Sequence, residues 1–218
     1  MNDPISNIYQ QMILNESTIN KDEQIKKWLE KYTTKQSSII IDSNGLVSID
    51  GRFDFSNDKR KKIPVQFLKV TECFYTSISI TSLAGCPKFV GNNFYCSNNK
   101  NLTNLIGGPE EVKGDYCCYY CSNLTSLDGA PEEVGGYFDC NGNKNLTNLK
   151  SGLKKVKGDF YCYKCNNLPY SELFKIVDIV DGDIFYTNFY TPEDKDAIRR
   201  ARDIHINLQH DELGNLDI

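Results

Sequence analysis

Two Cys-x-x-Cys pairs are the residues of this 218-residue chain most suited to chemistry. Cys118 with Cys121 forms the first pair, and Cys162 with Cys165 forms the second. Two such pairs are typical of a four-cysteine zinc site, and one pair alone is typical of dithiol redox chemistry. The chain has nine cysteines, an odd number, so a complete disulfide framework is not expected. Which chemistry is open to them depends on the elements that hold them.

A repeat of 22 residues contains both pairs. Four segments align without gaps, and they read TSLAGCPKFVGNNFYCSNNKNL, TNLIGGPEEVKGDYCCYYCSNL, TSLDGAPEEVGGYFDCNGNKNL and TNLKSGLKKVKGDFYCYKCNNL. The residues that recur in phase are Val90, Val112, Val134 and Val156, then Cys96, Cys118, Cys140 and Cys162, then Leu102, Leu124, Leu146 and Leu168. Weaker copies at 49–55, 70–76 and 180–186 bring the predicted number of coils to seven.

Each copy of the repeat predicts a strand. From Val112 to Cys118, alternate residues are valine, glycine, an aromatic residue and cysteine. Alternation with period two places these four on one face, toward the core. One coil cannot bury its apolar side alone, but stacked coils can. The sequence therefore predicts a mainly β solenoid of about seven coils.

Both ends of the chain predict helices. Asn20 with Glu23 resembles a capping box, and Trp28 and Leu29 follow within an apolar stripe. The run 191–194, Thr-Pro-Glu-Asp, is a helix-start signal. We expect an N-terminal helical cap over 1–38, the repeat solenoid over 39–190, and a C-terminal helix and tail over 191–218. Such helices would cover the two open ends of the stack.

The repeats resemble the leucine-rich-repeat-like arrays of many bacteriophage and some bacterial proteins. The resemblance is carried by VGNNFYCSNN, VKGDYCCYYC, VGGYFDCNGN and VKGDFYCYKC, each followed by LTNL, LTSL or LPYS. It implies a curved, sheet-lined stack that binds other proteins. Asn99, Cys121, Asn143 and Cys165 alternate at one corner, as the family allows. The segment from Asn99 to Leu102 is one residue longer than the family's Asn-x-Leu, which predicts a wider corner.

The repeat argues against a shared zinc site. The two cysteine pairs lie two coils apart, about 9.6 Å at ~4.8 Å per coil. Four thiolates at about 2.3 Å from one ion cannot span the coil between them. Cys118 and Cys162 occupy a core column, where free cysteine acts as a small hydrophobe. No metal, cofactor or catalytic residue is predicted, and the sequence lacks the common hydrolase and nucleotide-binding motifs.

The outward strand positions carry the best functional signal. Tyrosine is enriched at interfaces, because it buries a large area and keeps a polar tip. Aromatic rows also stabilise sheets by cross-strand packing, and the sequence leaves both interpretations open. The positions at which we expect contact with a partner are Tyr95, Tyr119, Tyr137, Asp139, Asp159, Tyr161 and Tyr163.

Composition limits the partners. The net charge of -4, from 25 basic and 29 acidic residues, disfavours nucleic acid. No apolar run approaches the ~18 residues of a membrane helix, and the N-terminus lacks the pattern of a secretory signal. We therefore expect a cytoplasmic protein, in the host cell if the chain is viral, or a virion protein. The sequence does not define an oligomeric state.

Three hypotheses for the function follow. The first is a non-enzymatic, phage-encoded module that binds a host or phage protein. The second is a structural virion or assembly component, in which the segment 6–16, SNIYQQMILNE, would dock as an amphipathic helix. The third is a zinc or redox protein that uses the cysteine pairs.

Overall fold

The repeats fold into a mainly β solenoid of about six turns with few helices. The structure is a computed structural model that describes residues 22–186 and 194–214, with side chains up to residue 205 in the last helix. The predicted cap at Asn20, the segment 6–16, most of the helix-start signal at 191–194 and the tail from 215 lie outside the described residues.

Fourteen short strands build the stack between a helix α1 over 22–32 and a helix α2 at Lys195–Gly214. The strands are β1 (Ser38–Ile41), β2 (Leu46–Asp50), β3 (Phe53–Asp54), β4 (Gln66–Val70), β5 (Phe74–Tyr75), β6 (Phe89–Val90), β7 (Phe94–Tyr95), β8 (Glu111–Val112), β9 (Tyr116–Cys117), β10 (Glu133–Val134), β11 (Phe138–Asp139), β12 (Lys155–Val156), β13 (Phe160–Tyr161) and β14 (Ile184–Phe185). A 3-10 helix at Tyr170–Lys175 lies between β13 and β14.

The strands form two seven-stranded sheets, and the prediction of one continuous strand per coil is wrong. The first sheet has the order β1-β2-β4-β6-β8-β10-β12, and the second has the order β14-β13-β11-β9-β7-β5-β3. Within a coil, β8 ends at Val112 and β9 starts at Tyr116, because the chain bends at Lys113 and Gly114. The predicted inward residues Val112, Tyr116 and Cys118 are nevertheless buried.

Neighbouring coils are joined in parallel and in register. Val134 pairs with Val112 on one side and with Val156 on the other, so residues at the same repeat position stack. The amide of Tyr116 donates to the carbonyl of Tyr137 at 2.9 Å, and the amide of Phe138 donates to that of Asp159 at 2.9 Å. The antiparallel pairing of β1 with β2 is the exception.

The core follows from this register as columns of like residues. Phe94, Tyr116, Phe138 and Phe160 stack at centroid separations of 5.1, 5.0 and 5.2 Å. The column of Cys96, Cys118, Cys140 and Cys162 is buried beside them. Burying such aromatic side chains is the main source of stability in a domain of this size.

A second column, formed by Cys121, Asn143 and Cys165, lies at the corner that follows the strands of the second sheet. The Cys121 thiol donates to the Cys96 carbonyl at 3.2 Å, and the Cys165 thiol donates to the Cys140 carbonyl at 3.2 Å. Between them, the Asn143 amide donates to the Cys118 carbonyl at 3.1 Å. Asparagine can replace cysteine here because Cys121, Asn143 and Cys165 each donate a hydrogen bond to the carbonyl 25 residues earlier.

Helices pack at the two ends of the described stack. Trp28 of α1 lies 5.3 Å from Phe53 and donates its indole hydrogen to Asp58 at 2.8 Å. At the other end, Ile198 of α2 is buried, and the α2 arginine Arg199 bonds Asp178 at 3.0 Å. These contacts are consistent with helices that cover the ends of the solenoid.

Neighbouring coils approach closely at Gly158, and a substitution there tests this approach. A Cβ at Gly158 would lie 2.8 Å from the main-chain carbon of Gly136 and 2.8 Å from the main-chain nitrogen of Tyr137. Because main-chain atoms in a ladder cannot move aside, we expect Gly158→Ala to lower the free energy of unfolding by about 2–4 kcal/mol in urea denaturation.

Gly152→Ala is the matched control. A Cβ there meets only the Ala130 carbonyl oxygen, at an ordinary 3.6 Å. We expect that variant to be neutral or to be stabilised by up to about 1 kcal/mol, through the lower entropy of the unfolded chain. Equal effects of the two substitutions would contradict the close stacking of coils.

Candidate functional site

The predicted contact residues lie on one surface, outside the second sheet. Tyr95, Asp139 and Tyr161 belong to a row in which strand residues pair in register across β7, β9, β11 and β13. We call this surface the outer face. Its residues are Arg52, Cys73, Asn93, Asp115, Tyr137, Asp159 and Asp183 in one column, Asp54, Tyr75, Tyr95, Cys117, Asp139, Tyr161 and Phe185 in the next, and Ser97, Tyr119, Asn141 and Tyr163 in the third.

The tyrosines of the outer face contact one another along the stack. Tyr75 and Tyr95 stack at 4.4 Å between ring centroids, and the ring of Tyr161 stacks on Phe185 at 4.7 Å. Tyr137 meets Tyr161 at 5.6 Å with the ring planes at 90°. All five side chains are nevertheless half-exposed. The rings therefore stabilise the sheet and remain available to a partner.

Cys117 is a buried residue within the outer face. Its position points outward in the strand, yet only 1% of it is accessible. The Cys117 thiol lies 3.9 Å from the Tyr137 hydroxyl, and the strand neighbours of Cys117 are Tyr95 and Asp139. A small residue between tall neighbours is covered by them, and this burial raises the pKa of the thiol to about 12.

Aspartates of the outer face accept hydrogen bonds from the main chain. Asp115 accepts from the Tyr137 amide at 3.1 Å, and Asp159 accepts from the Asp183 amide at 2.9 Å. Glycine precedes each donor residue, since a Cβ at Gly136 would lie 2.1 Å from the Asp115 carboxylate oxygen. The Gly-Asp dipeptide of the repeat thus fixes a carboxylate on the outer face of each such coil.

The charge of the outer face is negative. Within residues 22–186 and 194–214, Asp115, Asp139, Asp159 and Asp183 have no salt bridge to a basic side chain. The cation of the face, Arg52, is already bound to Asp54 of its own coil at 2.6 Å.

Glutamates beside the first sheet are neutralised, in contrast to those aspartates. Glu110 pairs with Lys88 at 2.5 Å, and Glu132 pairs with Lys154 at 2.7 Å. They rim an open groove of about 660 Å³ at the Gly-x-Pro turns, where Ile106 is 61% exposed. This groove was not predicted from the sequence, although the recurring Pro109 and Pro131 mark its position.

Two side chains of the outer face, Asp139 and Tyr161, have raised pKa values. Burial raises the pKa of Asp139 to about 6. Burial also raises the pKa of Tyr161 to about 12, and the hydrogen bond and charge of Asp159 add to this shift. Burial alone raises the pKa of Asp139, against the hydrogen bond from the Asn141 amide that lowers it, whereas negative neighbours contribute only to the shift of Tyr161.

The cysteine pairs lie in the core. All nine cysteines are free thiols, eight are buried and Cys73 is half-buried. Burial raises the pKa of Cys118 well above its ordinary value and that of Cys121 to about 12. Within the part of the chain that the structure describes, no three His, Cys, Asp or Glu side chains are placed to hold a metal ion.

Three acidic residues near the caps and corners of the fold form ion pairs. Asp178 is bound by Arg199 and Arg202, which lower its pKa, and Asp181 is bound by Lys155 at 2.7 Å. Arg60, from the basic run 59–62, bonds Asp58. These ion pairs give Asp178, Asp181 and Asp58 a structural role at the caps and corners of the fold.

The fold and this face define a solenoid repeat protein with an aromatic, acidic sheet surface. Comparison with protein-family models, with curated proteins and with solved structures found no match. Among the described helices, none is long and apolar enough to cross a membrane.

Asp139 makes the stability of the fold depend on pH. Because its pKa in the folded chain is raised to about 6, the neutral carboxyl is the stabilising form. The neutral carboxyl contributes its full stabilisation of the fold below about pH 4, and this stabilisation is lost as the pH rises through 6. Asp139→Asn keeps an acceptor for the Asn141 amide, which now bonds the carboxylate at 2.9 Å. We expect this variant to be more stable than the wild type at pH 7 by about 1–2 kcal/mol, after allowance for partial exposure.

Thermal or urea unfolding between pH 4 and pH 8 measures this difference. We expect it to shrink toward zero near pH 4. Asp183→Asn, at an exposed position of the same face, serves as the control and should change the unfolding free energy by less than about 0.5 kcal/mol. An Asp139→Asn effect that is constant with pH, or destabilising at pH 7, would contradict the buried state of this carboxylate.

Proposed function

We propose that the chain is a non-enzymatic protein-binding module whose contact surface is the outer face. The observation that carries the proposal is the group of half-exposed tyrosines that successive coils place on the outer face. Tyrosine is among the residues that most often dominate the binding energy of an interface. A surface of two-residue strands held by main-chain hydrogen bonds also loses little entropy when a partner binds.

The state of the first Cys-x-x-Cys pair supports a binding function over cysteine chemistry. A cysteine nucleophile or redox thiol is usually accessible and has a lowered pKa. Cys118 and Cys121 are buried, and their pKa values are raised. Their thiol groups serve packing and the corner hydrogen bond to Cys96.

We further propose that the array is leucine-rich-repeat-like with seven coils, phage-encoded, and located in the cytoplasm of the host cell. The corner column of Cys121, Asn143 and Cys165 supports the repeat class, because side chains of both types donate to the main chain there. Nine thiols without a disulfide between them are compatible with a reducing compartment.

Affinity purification from native host cells tests the binding function. The variant Tyr119→Ala/Tyr137→Ala/Tyr161→Ala removes three rings from the outer face. We expect the wild type to retain specific proteins and the variant to retain them at least about tenfold less, since such anchors each contribute 1–2 kcal/mol or more. Circular dichroism and thermal unfolding establish that the variant is folded, and Tyr137→Ala alone replaces it if it is not.

A second triple variant controls for general loss of apolar surface. Ile40, Ile106 and Ile204 are 62%, 61% and 59% exposed and lie outside the outer face. Ile40→Ala/Ile106→Ala/Ile204→Ala should retain the same proteins as the wild type. An unchanged set of partners on the folded tyrosine variant would overturn the assignment of binding to the outer face.

A further inference from the structure

We propose that the outer face binds an arginine or lysine side chain of its protein partner at an acidic aromatic corner formed by Tyr137 and Tyr161. The inference rests on the proposed function and adds the chemistry of the partner. It predicts a basic, extended segment whose cationic side chain lies against the two rings and pairs with the surrounding aspartates.

The two rings supply the aromatic part of this corner. Their centroids are 5.6 Å apart and their planes are perpendicular, so the corner presents two differently oriented π systems. Tyr161 is held in place, because its hydroxyl donates to Asp159 at 2.8 Å and its ring stacks on Phe185. A cation within about 6 Å of such a ring is attracted by the ring quadrupole.

Three carboxylates supply the negative charge. Asp115 accepts from the Tyr137 amide, Asp159 accepts from the Tyr161 hydroxyl, and Asp139 pairs in register with Tyr161 on the adjacent strand. No described basic side chain forms a salt bridge with any of the three. Lys113 and Lys157, at the bends between the two sheets, are bound to Glu111 and Glu133 of the first sheet.

The first coil of the outer face shows the proposed interaction within the chain. Arg52 lies with its guanidinium carbon 4.3 Å from the Tyr75 ring centroid and bonds Asp54 at 2.6 Å. Asp54 and Tyr75 are register partners, as Asp139 and Tyr161 are in the later coils. The first Asp-Tyr pair is thus satisfied by an internal arginine.

Among the described residues, no internal cation pairs with Asp139 and Tyr161, because the repeat position of Arg52 is occupied there by Tyr137. This substitution replaces the arginine of the first coil by a second ring. The negative charge of Asp139 is left for a cation that another molecule brings.

The chemistry of the corner favours a side-chain cation over other ligands. Phosphates of nucleic acid or lipid would be repelled by the aspartates. A divalent metal needs several convergent oxygens, and the described residues offer no such group. A guanidinium is planar and weakly hydrated, so it both stacks on rings and bonds carboxylates.

Fluorescence anisotropy with the full chain at low salt tests the inference. The probes are three labelled peptides of equal length, in which serine alternates with arginine, with the neutral isostere citrulline, or with glutamate. We expect the arginine peptide to bind at least about tenfold more tightly than the citrulline peptide, with no binding of the glutamate peptide. We expect Asp139→Asn/Asp159→Asn to weaken arginine-peptide binding about tenfold, and Tyr161→Leu to weaken it as well.

Glu110→Gln/Glu132→Gln is the matched control, because it removes two negative charges from the other sheet. It should leave arginine-peptide binding within about twofold of the wild type, since exposed charges at a distance are screened. Equal affinity for the arginine and citrulline peptides would overturn the inference, as would equal losses in the aspartate and glutamate variants. If the double aspartate variant does not fold, Asp159→Asn alone decides with the same peptides.

The result also separates this inference from the proposed function. If the tyrosine variant loses its host partners while Asp139→Asn/Asp159→Asn keeps them, the outer face binds protein. The inference that it binds an arginine or lysine side chain is then wrong. If both variants keep all partners, the proposed function fails as well.

Discussion

Main-chain hydrogen bonds between successive coils are the constraint on which this structure depends. The amides of Tyr116 and Phe138 donate to the carbonyls of Tyr137 and Asp159 in the next coil. Because these bonds keep the coils in register, each repeat position stacks on itself along the solenoid. Glycine is required where the coils approach most closely, as at Gly158.

The register decides both the inside and the outside of the molecule. Inward, it stacks aromatic rings beside a column of thiols, and burial in that column raises the pKa values of Cys96, Cys118 and Cys140. Outward, it brings tyrosines and aspartates of different coils together, and among the described residues Asp115, Asp139 and Asp159 form no salt bridge. The residue types that occupy the outward columns are the basis of the proposed binding of a basic segment.

Much of this arrangement could be predicted from the sequence, because a repeat reports its own geometry. The core positions of Val112 and Cys118 and the shared surface of Tyr95 and Tyr161 follow from spacing and alternation. The bend at Lys113 and Gly114 could not be predicted from the sequence, since Gly114 fits a continuous strand equally well. Nor could the burial of Cys117, which depends on how neighbouring tyrosines lean. The stacking of Arg52 on Tyr75 likewise required side-chain positions.

Hydrogen exchange resolved by residue with nuclear magnetic resonance tests the central claim, the in-register stack, most directly. The amides of Phe94, Tyr116, Phe138 and Phe160 each donate to the next coil at 2.8–2.9 Å. We predict that these four amides are among the slowest to exchange, with similar rates, because they open only when the stack does. Fast exchange at any of the central ones, Tyr116 or Phe138, would contradict the stacked solenoid and the outer face built on it.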